Sequence, residues 1–171
     1  MPPPRFTMEE RRVAHAPGLF EVLKDARLYE FLDEHPPVSV QELAKKLARS
    51  ESRMSPDGKQ HRLNWVVHTE SGAICGYVQA TVEETKDTNV AFVFGPNHQG
   101  KGIATAAIKT VLDLVSSRYD VSRFFILSEA SNARSVKLPQ RLGFELASKV
   151  EFASRHAGPT EILFRKCALP H

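Results

Sequence analysis

Long apolar runs are missing from this sequence. No stretch approaches the roughly 20 apolar residues of a membrane span, and the opening Met1-Pro2-Pro3-Pro4-Arg5 lacks the apolar core of a secretion signal, so a cytoplasmic protein with no membrane partner is expected. Cysteine is scarce. Cys75 and Cys167 are the two present, and neither sits in a C-x-x-C pair of the kind used for redox or zinc. Each lies in an apolar strand-like run and is expected to be a packing residue. Charge is not concentrated in one sign: 23 Lys and Arg face 20 Asp and Glu, in runs as short and mixed as Glu9-Glu10-Arg11-Arg12, which gives no basic face for nucleic acid. Repeats and low-complexity tracts are also absent, apart from the prolines at the start.

What is present suits a folded enzyme-sized unit. Its 171 residues, 42% apolar and 25% charged, are enough for one well-buried domain and too few for two. One domain over 1–171 is expected, with about 1–12 flexible. Leu19 to Leu32 has helical spacing, in one piece or broken into two. A better-marked helix follows Pro36-Pro37, where Ser39 and Glu42 form a capping box and Val40, Leu43, Ala44 and Leu47 share a face. Ser50 to Arg62 reads as a polar loop.

The period then changes to that of strands. Leu63–Val67 and Ile74–Val82, joined through Ser71-Gly72, predict a hairpin, and Asn89–Phe94 a third strand after the charged turn from Glu83 to Thr88. From Gly102 to about Arg118, apolar residues from Ile103 to Val115 recur at helical spacing. Phe124–Leu127 predicts a buried strand, a short helix follows Asn132, and Glu145–Phe152 and Thr160–Ala168 predict two final strands. The order implies an α/β protein with a mixed sheet.

The turn between the third strand and the long helix carries the most chemistry. In Gly95-Pro96-Asn97-His98-Gln99-Gly100-Lys101-Gly102 a strand enters, glycines turn the backbone and a helix begins. Unpaired N–H groups and the helix dipole then meet at one spot, which favours an anion. Seven positions fit the nucleotide-triphosphate loop G-x-x-x-x-G-K. The eighth is Gly102, where that loop needs Ser or Thr to hold magnesium, so a triphosphatase is disfavoured.

Gln99-Gly100-Lys101-Gly102-Ile103-Ala104 fits Q/R-x-x-G-x-G/A and resembles the pyrophosphate loop of the GNAT acetyltransferases. Ser131-Asn132-Ala133-Arg134-Ser135, continuing to Leu142-Gly143-Phe144, resembles a second signature of that family in the same order. The Asn-x-x-Ser form is most similar to the ribosomal-protein-alanine (RimJ/RimL-like) branch. The resemblance implies a GNAT fold with a mostly antiparallel sheet, splayed fourth and fifth strands, and acetyl-CoA as co-substrate without a metal. It further implies that the backbone from Gln99 to Ala104, with Thr105 beyond, holds the pyrophosphate, and that Phe92, Val93 and Phe94 line the pantetheine arm while also packing the core. Asn132 would hydrogen-bond pantetheine or simply cap its helix. Ser135 would be the acid for the departing thiolate or a solvated helix serine.

The base is harder to find. Many relatives carry Glu where this chain has Asn89 and Ala106. Glu129 is the remaining carboxylate of choice, with Glu83, Glu84, His98 or a water chain behind it. Pro139 replaces a common tyrosine acid and removes the donor for the carbonyl of Ser135. The function expected is acetyl transfer to a primary amine, a protein N-terminus or a small molecule, by a monomer or homodimer. A catalytically weak acyl-CoA-binding module is the alternative.

Overall fold

The computed structural model describes residues 2–169. Its strands are β1 Phe6–Glu10, β2 His61–Thr69, β3 Ile74–Val82, β4 Asp87–Phe94, β5 Arg123–Glu129, β6 Glu145–Leu146 and β7 Glu161–Cys167. They form one sheet in the order β1-β2-β3-β4-β5-β7-β6. Every neighbouring pair is antiparallel except β4 and β5, which run parallel.

Side chains alternate across the strands, so each face collects its own apolar set. On one face Val78, Val90, Phe124 and Ile126 pack against α3 (Ile103–Arg118) and α4 (Ala133–Arg141), through Ala107, Ile108, Val111, Leu138 and Leu142. On the other, Val66, Tyr77 and Val93 pack against α1 (Ala16–Leu23) and α2 (Val40–Ser50), through Leu19, Leu23, Leu43 and Leu47. At the α2 start one half of the expected capping box forms: Ser39 Oγ accepts from the Glu42 N–H at 3.1 Å, without the return bond from the Glu42 side chain. The stretch from Leu19 to Leu32 does break in two. Lys24 is the C-cap of α1, and Asp25 caps a short 3-10 turn, Ala26–Tyr29, by accepting from the Arg27 N–H at 3.0 Å.

Three expectations need correction. The stretch 1–12 contains a strand, because Phe6 and Met8 point alternately onto the α3 face while Phe6 to Glu10 pair with Thr69 to Trp65. Glu145–Phe152 is a strand for only two residues. Beyond them Ser148 and Glu151 make a reciprocal capping box, with bonds of 3.2 and 2.8 Å, that starts α5 (Lys149–Ser154). Cys75 is buried in the core as expected, but Cys167 is exposed at the end of β7.

The β4–β5 pair positions the site. Only Asp87↔Arg123, Thr88↔Phe124 and Asn89↔Phe125 are in register, and past Asn89 the strands splay apart. Their root is clamped. Arg123 donates to both Asp87 oxygens at 2.9 and 3.0 Å and to Glu151 at 2.9 Å. Arg155 pairs with Glu83 at 2.8 Å and lies 4.2 Å over the Phe125 ring. A bidentate guanidinium–carboxylate pair fixes both strands in orientation as well as in distance.

Candidate active site

The splay opens a cleft of about 380 Å³. Phe92, Val93 and Phe94 of β4 form one side. Because β5 has moved away, the main-chain groups of β4 that would face it beyond Asn89 have no strand partner.

One end of the cleft is the Gly-rich turn. Gly100 and Gly102 have φ of +77° and +78°, a left-handed backbone that favours glycine, and Gly102 is the N-cap of α3. The first N–H of this helix to find a backbone carbonyl is that of Ala106, which donates to Gly102 O at 3.1 Å. Among the described residues, the N–H groups from Gln99 to Thr105 have no such partner. They form the anion cradle that the sequence suggests. Gln99 braces it: its Nε2 donates to Phe94 O at 3.0 Å and its Oε1 accepts from Arg134.

The opposite wall is the start of α4. Asn132 is its N-cap, with Oδ1 accepting from the Ser135 N–H at 3.3 Å, so the capping alternative is realised while the side chain still lines the cleft. Ser135 also lines it. The carbonyl that Pro139 leaves short of a donor accepts from Ser128 Oγ, on β5, at 3.0 Å.

Gln99, Gly100, Gly102, Ala104 and Thr105 all line the cleft with these residues. Lys101 is exposed and outside the lining, and the Ile103 side chain is buried in the core at 6% exposure. Glu129 does not line the cleft. By strand alternation from Asn89↔Phe125 it lies on the sheet face of Val93, opposite Ser128 and α4. Glu83 is committed to Arg155 and to Asn89 Nδ2, the latter at 2.6 Å, and Glu84 is exposed, whereas His98 lines the cleft.

Two groups of lining residues escaped the sequence reading. Arg134, Lys137 and Arg141 put three cations along the cleft. Their spacing of three and then four residues places them on one helical face, a signal that was available. Leu28, Phe31 and Leu32, apolar positions of the stretch read as helical from Leu19 to Leu32, roof the cleft from the segment around the 3-10 turn.

A second cavity of about 210 Å³ lies under α1 and α2 and shares Leu28, Leu32 and Val93 with the cleft. Tyr77 on its floor is pushed up to about 12 by burial, so its phenol stays protonated at neutral pH. Elsewhere Glu9, His15 and His68 cluster within metal-ligand reach. His15 Nδ1 accepts from the Arg12 N–H at 2.8 Å, which puts the proton of a neutral ring on Nε2, where it bonds Glu9 at 2.9 Å. That ring offers no lone pair to a metal. Among the described residues no helix is long and apolar enough to cross a membrane.

The comparisons agree with this geometry. The family model described as "Acetyltransferase (GNAT) domain" matches residues 5–145. An uncharacterized N-acetyltransferase p20 of Bacillus licheniformis is 23% identical over 143 residues, covering 82% of this chain and 79% of that protein. The RimL ribosomal L7/L12 alpha-N-protein acetyltransferase in complex with coenzyme A superposes with a TM-score of 0.79 at 19% identity, covering 95% of this chain and 93% of that one. Spermidine N-acetyltransferase from Vibrio cholerae, in complex with CoA and spermine, gives 0.73 at 16% identity, with 95% of each chain covered. With its family model spanning most of the chain and its splayed β4–β5 cleft ending in the Gly-rich cradle, this protein belongs to the GNAT acetyltransferases.

Proposed function

We propose that the chain is one 1–171 domain, cytoplasmic and either monomeric or homodimeric, that transfers an acetyl group from acetyl-CoA directly to a primary amine in a ternary complex. The observation that carries this is the cleft itself. Unpaired N–H groups, a basic helix face and the unpaired edge of β4 line one channel. These suit, in that order, a pyrophosphate, its flanking phosphates and an amide-bearing arm. Bound acetyl-CoA supplies an acetyl group activated as a thioester.

The chain's residues have three tasks. A β4 main-chain N–H near Val93 donates to the carbonyl oxygen as negative charge builds there. Ser135 Oγ, free of any protein partner among the described residues, donates to the departing sulfur. The amine must shed a proton, since at an unperturbed pKa of about 10.4 only roughly one in a thousand is neutral at pH 7. Glu129, on the Val93 face but outside the cleft lining, is our candidate acceptor for it by way of a water chain. Glu129→Gln should lower turnover more at neutral pH than at pH 9, and an unchanged pH–rate profile would return that proton to water.

One observation favours the alternative of an acyl-CoA-binding module with weak or no transfer: no carboxylate lines the cleft. Thiol release from acetyl-CoA in the presence of a panel of primary amines separates the two. Amine-dependent release supports the enzyme. Tight binding with no release for any amine supports the module.

A further inference from the structure

The second cavity is lined by a cation that makes no ion pair among the described residues. Arg11, just after β1, reaches across the α1–α2 face of the sheet, and its guanidinium carbon lies 5.4 Å from the centre of the Tyr77 ring. Nη2 donates to Ser50 Oγ at 3.1 Å, while Nε is buried with no hydrogen-bond partner. Its neighbours Arg12 and Arg53 both pair with Glu10, at 3.5 and 3.0 Å. Among the described residues, no carboxylate pairs with Arg11. Burial pulls its pKa down, yet a guanidinium remains charged at any working pH. Arg11 as a whole is partly buried, and a partly desolvated cation without a counter-ion is costly, since buried charges are normally paired.

The rest of the cavity tells what surrounds the missing anion. Leu19, Leu23, Leu43 and Leu47 give it an apolar side, and Tyr29, Tyr77 and Gln79 join Arg11 in giving it a polar one. At its rim the exposed Lys46 and His35 stand against a single acid, the equally exposed Glu34, so the lining does not favour a polycation. Its 210 Å³ is below the roughly 300–1,000 Å³ of ligand clefts generally, which limits the occupant to a small molecule. The shared residues Leu28, Leu32 and Val93 connect it to the cleft.

We infer that this cavity is the acceptor pocket and that the acceptor is a small amino-acid-like amine, its carboxylate on Arg11 and its apolar body among the leucines. The inference rests on the acetyltransferase reading above. Arg11 supplies the N–H fork for a carboxylate, and the Tyr77 hydroxyl, without a protein partner among the described residues, is an additional donor. Transfer then forms an N–C bond to the amine and breaks the C–S bond, with the amine proton lost and the thiolate protonated to free coenzyme A.

The test is calorimetric titration of the coenzyme-A-saturated protein with L-leucine, with 3-methylbutylamine, which is leucine without its carboxylate, and with spermidine. Leucine should bind ten- to a hundred-fold more tightly than 3-methylbutylamine, the range set by a charge-assisted hydrogen-bonded pair. In Arg11→Gln that ratio should fall to about one, while Arg11→Lys, which keeps the cation, should retain part of it. Arg11→Gln should melt close to wild type, since it removes a partly buried charge that has no carboxylate partner. Equal affinities in wild type, tighter binding of spermidine, or no binding of leucine would each overturn the inference. The readout does not need turnover. A carboxylate preference without acetyl transfer would uphold the pocket and defeat the enzyme, and acetyl transfer to spermidine without that preference would do the reverse.

Discussion

Ser128 Oγ, on β5, donates to the main-chain carbonyl of Ser135, on α4, at 3.0 Å. Ser128 is 4% exposed, and the bond replaces the one that Pro139, inside the same helix, is unable to give. It ties the far strand of the splay to the turn of helix that carries the candidate acid. Ser128→Ala strands a carbonyl and should cost about 1–3 kcal/mol in stability. In a Pro139→Ala background, where residue 139 regains its N–H, the same substitution should cost less. A double-mutant cycle by denaturant unfolding measures the coupling, and strictly additive effects would mean that the two residues act independently.

Ser135 itself is expected to act on rate and not on binding. Its hydroxyl has no protein partner among the described residues, so Ser135→Ala leaves nothing stranded and puts a better helix former into α4. If the hydroxyl donates to sulfur as charge develops there, kcat should fall roughly ten- to a hundred-fold, with the Kd for acetyl-CoA nearly unchanged. Wild-type turnover would remove Ser135 from the mechanism. Weaker binding at constant kcat would make it a binding residue.

The strong periodic segments were legible because local rules and tertiary packing agree in them. Ile74–Val82 matches the strand read from sequence, and the helix predicted from Gly102 begins at Ile103 and ends at Arg118. The Gly-rich turn was legible for the same reason, since Gly100 and Gly102 serve one backbone conformation. β1 was hidden because five residues with two apolar side chains carry little periodicity until β2 is beside them. Glu145–Phe152 was expected to be a strand, but the Ser148–Glu151 box decided for a helix beyond Leu146. The second cavity was not legible at all. Arg11 and Tyr77 are 66 residues apart in the chain, and only the sheet register brings them together.

Tyr77 makes a pH prediction with a defined sign. Its folded pKa is raised from 10.0 to about 12 by burial, so its stabilising effect is intact below pH 10 and is lost as the pH rises toward 12. The stability difference between wild type and Tyr77→Phe should therefore shift against wild type across that window and stay flat below it. Denaturant unfolding at a series of alkaline pH values reads this directly. A difference independent of pH would mean that the phenol ionises as it does in water.

Gly102→Asp bears most directly on the central claim, that the Gly-rich cradle at the end of the β4–β5 splay holds the phosphates of acetyl-CoA. A Cβ at Gly102 would meet only Pro4 Cγ, at 3.8 Å, so there is room for the side chain apart from the strain of φ +78°. Aspartate is among the residues that tolerate that conformation best, and the fold should survive. Its carboxylate, however, would stand where the unpaired N–H groups converge. The measurement is calorimetric titration of wild type and folded Gly102→Asp with acetyl-CoA. Saturable binding to wild type, lost in Gly102→Asp, is the predicted result, and equal binding to both proteins would contradict the account.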